Sequence, residues 1–175
     1  LWQKCVWSNI RVENDSTIVG YKLVKGWGPE RHIYFRAVFS KPFRQFTIYQ
    51  DKKPVIYNTS RFRSNREAWG PNLLFTARFN TAEGEQVTVR TAISATSTNG
   101  CVVNMRELDN RSFEDVHRDA VQRWNKELAR YVVEGDEVQK ATFYTSAYHA
   151  ALCPYVYDDA DGKYLALDKN IEQEN

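Results

Sequence analysis

The spacing of the apolar residues changes once along this chain, near residue 110, and that change limits the folds open to it. Before it, short runs alternate or cluster as strands do: TIVGYKLV, HIYFRAVF, RQFTIYQ, NLLFTARF and QVTVRTAIS. They are rich in β-branched and aromatic residues, and turn residues such as Gly26, Gly28, Pro29 and Gly84 separate them. In the last run, alternation puts Val87, Val89, Thr91 and Ile93 on one face. No helix-length periodicity precedes residue 100. Short strands with recurring turns are the pattern of an antiparallel sandwich.

After the change, Ser112 stands as an N-cap with Asp115 three places on, an approximate capping box. Phe113, Val116, Ala120, Val121, Trp124 and Leu128 follow with the 3.6-residue period, so a helix is predicted over 112–130. A second is predicted over 137–152. Glu137 opens it and Pro154 stops it. Ala141, Tyr144, Tyr148 and Ala151 form its stripe, widened by Phe143, Ala147 and Ala150. A stripe that wide requires neighbours on more than one side. The expected fold class is therefore α+β: an antiparallel β-sandwich followed by two α-helices.

Composition excludes several functions. The chain has 175 residues and a net charge of +2, with basic and acidic residues spread evenly, so nucleic acid is not an expected partner. No apolar run is long enough to span a membrane. The opening LWQKCVWSNI has neither an initiator Met nor a signal-peptide layout, and reads as an interior cut. Cys5, Cys101 and Cys153 are odd in number and far apart, which predicts buried free thiols and neither a disulfide framework nor a zinc site.

The candidate chemistry lies in a few polar residues. Asp158, Asp159 and Asp161 precede Gly162, in part like a calcium-binding loop. The position that should supply that loop's first carboxylate is Tyr157, so a solvated turn is the better reading, with a substrate contact through Asp159 or Asp161 as its rival. Carboxylates so close in sequence are poorly placed to flank a glycosidic bond. His149 suits a core or interface position on the second helix, and His117 a solvated one on the first. His32 follows the GWGPER loop and could line a groove, and Trp27 within that loop is an aromatic suited to stacking on a sugar. No nucleophile elbow or phosphate loop occurs.

Four stretches, taken together and in order, resemble glycoside hydrolase family 92, the calcium-dependent exo-α-mannosidases. They are GWGPERHIYFRAVFSKPF (26–43), VTVRTAISATSTNGCVVNMREL (87–108), SFEDVHRDAVQRWNKELARYVVEG (112–135) and FYTSAYHAALCPYVYDDADGKY (143–164). The resemblance implies a parent with an N-terminal β-sandwich, a helical linker and an (α/α)6 barrel. The parent would remove terminal α-mannose with inversion, using calcium and a general acid–base pair. On that basis residues 1–108 are expected to be the later part of the sandwich, 109–135 the linker, and 136–175 the start of a truncated barrel with its first helix. The family's catalytic acid, base and calcium ligands lie downstream, so this chain is expected to hold no cofactor and to be inactive alone. Asp159, Asp161, His32 and Trp27 are its candidate substrate contacts. The family also writes the final loop closer to Ser-Asp-Val-Asn-Gly-x-Tyr, and here it is DDADGKY.

The resemblance further implies a mannose-containing glycan as the parent's partner and an extracytoplasmic location. Exposure of Phe143, Tyr144 and Tyr148 would allow self-association. The alternative function is a free-standing carbohydrate-binding sandwich that stacks sugars on Trp27 or Trp69.

Overall fold

The computed structural model describes residues 4–26, 30–57, 65–153 and 156–174. They form two compact units. One comprises residues 1–107 together with 158–175, and the other residues 108–157.

The first unit is built on two antiparallel sheets. The larger contains β1 (Lys4–Asn14), β2 (Thr17–Lys25), β3 (Arg31–Phe39), β6 (Glu67–Trp69) and β8 (Val89–Ser94), in the order β6-β1-β2-β3-β8. The smaller contains β4 (Gln45–Gln50), β5 (Lys53–Pro54) and β7 (Leu73–Arg78), in the order β5-β4-β7. The β1–β2 turn is tight because Asn14 Oδ1 accepts from the Ser16 amide at 2.9 Å. In the register, Ile10 lies opposite Gly20, Val12 opposite Ile18, and Ile18 opposite Ala37. These residues therefore share the face that meets Phe43 and Ile48 in the core. Phe43 is 6% exposed, and its ring is edge-on to those of Phe46 and Phe75, at 5.8 Å from each. Burying a phenylalanine so fully contributes about 2–3 kcal/mol. Gly20 is required where it stands, since a Cβ there would strike the Asn9 carbonyl and the Phe35 ring.

The sandwich followed by helices matches the sequence expectation, with informative differences. The longest strand, β1, has register irregularities between Cys5 and Trp7 and between Val12 and Asn14, which break the alternation that would reveal it. Val89, Thr91 and Ile93 do share a face, but β8 is an edge strand and they stay exposed, Ile93 at 68%. The buried residues of β8 are Ala92 and Ser94. These lie in the strand against which α1 (Thr98–Met105) packs, a helix that periodicity does not predict. It is one of three α-helices among the described residues. Its eight residues carry a cap, Ser97 Oγ accepting from the Gly100 amide at 3.0 Å, but too few apolar positions to show a stripe. The unit also holds a small separate hairpin, β9 (Lys163–Leu165) with β10 (Ile171–Gln173).

The second unit contains α2 (Phe113–Leu128) and α3 (Glu137–Ala151). Both begin in capping boxes, Ser112 with Asp115 and Asp136 with Gln139. The cap of α3 is thus Asp136, one residue before Glu137. Trp124 of α2 meets Tyr148 of α3 at 4.5 Å between ring centroids, and the Tyr144 hydroxyl donates to the Tyr131 carbonyl at 2.9 Å. No residue of either helix is buried. His117 stacks on Phe113, and His149 lies beside Tyr148. Pro154 lies outside the described residues.

Candidate functional site

Asp159 is the most enclosed charged residue named by the sequence, 3% exposed. A carboxylate leaves water only where donors replace the water it loses. Here Oδ2 accepts from Ser94 Oγ at 2.8 Å and from Thr96 Oγ1 at 2.5 Å, while Oδ1 accepts from Asn104 Nδ2 at 2.7 Å. Asn104 also donates to the Ile93 carbonyl at 2.9 Å and accepts from the Ala160 amide at 2.7 Å. One side chain of α1 thereby grips both the end of β8 and the acidic turn. The helix can approach so closely because residue 100 is glycine. A Cβ there would overlap Asp159 Oδ2, Ser94 Oγ and Thr96 Oγ1. The next residue, Cys101, is fully buried. Burial first, and then the Asp159 charge, push its thiol up to about 11.

The solvated turn expected at 158–162 is therefore corrected at Asp159, because three side-chain donors from β8, the following loop and α1 take the place of solvent. Those donors lie 55 to 65 residues upstream. In sequence, SATSTN is only a polar run after a strand, and it reads as a loop.

Asp161 behaves differently. Its carboxylate accepts from Lys163 Nζ at 2.6 Å, and that bond holds it below the usual carboxylate range. Gly162 takes φ +78°, which lets the turn close, with its amide donating to the Asp159 carbonyl at 2.7 Å. His32 is half-buried on β3, stacked on Tyr34 at 6.0 Å and tilted against Tyr21 at 5.7 Å. Burial and the nearby Tyr21 push the Tyr34 hydroxyl upward. Just before β3, Glu30 is paired with Lys25 at 2.7 Å. Its carboxyl is lowered chiefly by that bond and further by the charges of Lys169 and His32. Trp27 lies outside the described residues. The structure thus joins Asp159 and Asp161 on one turn, and His32 sits in an aromatic row of the same unit.

This arrangement is built to hold, not to cleave. Asp159 is saturated by protein donors and Asp161 is paired, so the turn offers no acid and base facing each other across a substrate. A cavity of about 260 Å³, lined in part by Ile10, Tyr21, Lys22, Phe35 and Leu73, contains no carboxylate or imidazole. The calcium ion implied by the resemblance does not fit these residues. Among those described, no three His, Cys, Asp or Glu side chains gather as metal ligands, and the acidic turn is committed to Ser94, Thr96, Asn104 and Lys163. The thiols depart from expectation as well: all three are free, but only Cys101 is buried, with Cys5 half-buried and Cys153 exposed.

Comparison with known proteins places these features. The glycosyl hydrolase family 92 N-terminal domain matches residues 1–94, and the family 92 catalytic domain matches residues 100–175. Among solved structures, the family GH92 α-mannosidase BT3965 from Bacteroides thetaiotaomicron is 58% identical over 100% of this chain, with a TM-score of 0.92. The same enzyme has been solved in complex with mannoimidazole. The inverting mannosidase BT2199 from B. thetaiotaomicron VPI-5482 shares the fold, with a TM-score of 0.81 at 23% identity over 97% of this chain. This chain spans 24% of the BT3965 chain and 23% of the BT2199 chain. No curated protein sequence matched.

Proposed function

This chain belongs to glycosyl hydrolase family 92, and from that premise we propose that it is a non-catalytic part of an α-mannosidase that removes terminal α-linked mannose from glycans with inversion. The observation that carries the reading is 58% identity along the whole chain to an α-mannosidase, over a segment whose acidic turn is committed to Ser94, Thr96, Asn104 and Lys163. The sandwich serves as scaffold, residues 109–135 as the helical linker, and residues from 136 onward as the opening of the helical catalytic domain, whose stretch 158–175 folds back into the sandwich unit. Asp161, His32 and Trp27 are the side chains we assign to the rim of the sugar site, with Asp159 acting on that rim through the turn it holds. Calcium is assigned to the parent enzyme and not to this chain. A glycan substrate fits an extracytoplasmic location.

The test is mannose release. The purified chain, incubated with α-mannosides at high protein concentration, is expected to liberate none above buffer. Mannose release that scales with chain concentration and survives repurification would overturn the non-catalytic reading.

A further inference from the structure

The helical unit interrupts the sandwich unit in sequence: the chain leaves it near residue 107 and returns at 158. What returns is sparsely anchored. In residues 158–174, Asp159 is the one buried residue among those described. The β9–β10 hairpin pairs only with itself and joins neither sheet of the sandwich. Its register sets Tyr164 opposite Glu172, and these are joined by a 2.9 Å hydrogen bond within the hairpin. The side-chain bonds that tie the segment to the sandwich converge on Asp159 and its neighbour Ala160, reaching Ser94, Thr96 and Asn104. At its far end, Lys169 lies close enough to Glu30 for its charge to be felt there, beside the strand that carries His32. The pinned end is placed by the register: Ser94 pairs with Tyr34, the residue on which His32 stacks.

We propose that residues 158–174 are a strap pinned at Asp159, beside the Ser94–Tyr34 register pair, and able to leave the sandwich as a unit while the sandwich stays folded. The physical basis is the contrast between its two kinds of attachment. An apolar core resists local opening, because every residue that leaves it exposes apolar surface. A segment whose side-chain bonds to the rest of its unit converge on one buried carboxylate and the amide beside it opens once those few hydrogen bonds are exchanged for water. A two-stranded hairpin alone is marginal in water, so its amides lose protection when the strap lifts. In the mannosidase reading the strap would set where Asp161 stands and how open the His32–Tyr34 row is. The strap itself does not depend on that reading, because it concerns only this chain's own contacts.

Native-state hydrogen exchange of the full chain tests it without any sugar. In the unaltered chain, the amides of 163–173 should exchange faster than those of Ile10, Ile18 and Ala37, by local opening. Asp159→Asn, which keeps the shape and removes the charge, should speed the strap amides by about tenfold or more while the sheet amides hold their rates. Strap amides that exchange in step with the sheet would overturn the proposal, as would strap rates unmoved by Asp159→Asn. Loss of sheet protection in Asp159→Asn would overturn it too, because Asp159 would then be a core residue of the sandwich and not a pin.

Discussion

Ser94 and Asp159 are 65 residues apart in the chain and 2.8 Å apart in the fold. Ser94 ends β8 and closes the N-terminal match, and Asp159 lies in the catalytic-domain match. The boundary between the two family domains is thus bridged by a buried hydrogen bond within one compact unit, which makes the packing around that bond a sensitive place to alter the protein.

Gly100→Ala is the sharpest probe of that packing. The added methyl would overlap the Asp159 carboxylate and both hydroxyls that serve it, with Thr96 Oγ1 only 2.8 Å away. Overpacking of this kind costs about 1–3 kcal/mol. Because α1 cannot keep both its approach and the Asp159 bonds, the urea midpoint of the sandwich unit should fall. An unchanged midpoint would mean that α1 stands off the turn in solution.

The three thiols should separate by reactivity. Cys153 is exposed, so it should be the first modified when a thiol reagent is added to the native chain. Cys101 has no exposed surface and its thiol is pushed up to about 11, so it should react only after denaturation. Cys5 falls between them. The Cys101 shift also has a pH consequence. The folded thiol keeps its proton above the ordinary 9.0, where the unfolded chain has lost it, so this contribution to stability is complete below 9.0 and is lost as pH rises toward about 11. Cys101→Ser should flatten that alkaline decline, read as the denaturant midpoint against pH.

The start of α2 has the opposite dependence. Hydrogen bonds from Ser112 first, and then Arg118, hold the Asp115 carboxyl down to about 2. The unfolded chain takes up the proton near the ordinary 3.8 and the folded helix does not, so the stabilisation is complete above 3.8 and disappears as pH falls toward about 2. Ser112→Ala removes the N-cap at a typical cost of about 1 kcal/mol. The helix signal in far-ultraviolet circular dichroism should therefore separate Asp115→Asn from the unaltered chain at neutral pH. The two should converge at the acid end, and a constant gap across the range would refute the coupling.

Much of this was legible because the sequence repeats its message locally. Five strand runs, the Ser112 capping box and the Trp124 and Tyr148 stripes each announce an element within a few residues. Strand β1 was hidden because its irregular register destroys the period of two, and α1 because eight residues hold too little periodicity. The Asp159 anchor was hidden for a stronger reason. Its meaning depends on Ser94, Thr96 and Asn104 arriving from far upstream, and nothing in DDADGKY records which acid finds them. Asp159 and Asp161 look alike in sequence, yet one is buried and the other pairs with Lys163 near solvent.

The helical pair carries the last prediction. Its two helices meet through Trp124 and Tyr148, and Tyr131 in the loop after α2 lies edge-on to Phe143 of α3, yet neither helix buries a residue. Val138 is 76% exposed and Leu152 48% exposed. Apolar surface left open on paired helices favours association with another apolar surface, and a second copy is the one present in a purified sample. Sedimentation should show the chain's average mass rising with concentration. Val138→Ser together with Leu152→Ser should suppress that rise without changing helix content, because the Trp124–Tyr148 contact is untouched. Trp124→Ala should lower helix content instead, since it removes the aromatic contact that joins the two helices. If the serine pair leaves self-association intact, the surface responsible is not this one. The exposed row of β8, Val89 and Ile93, then becomes the next to alter, because both side chains remain open although they pair with Phe39 and Phe35 of β3.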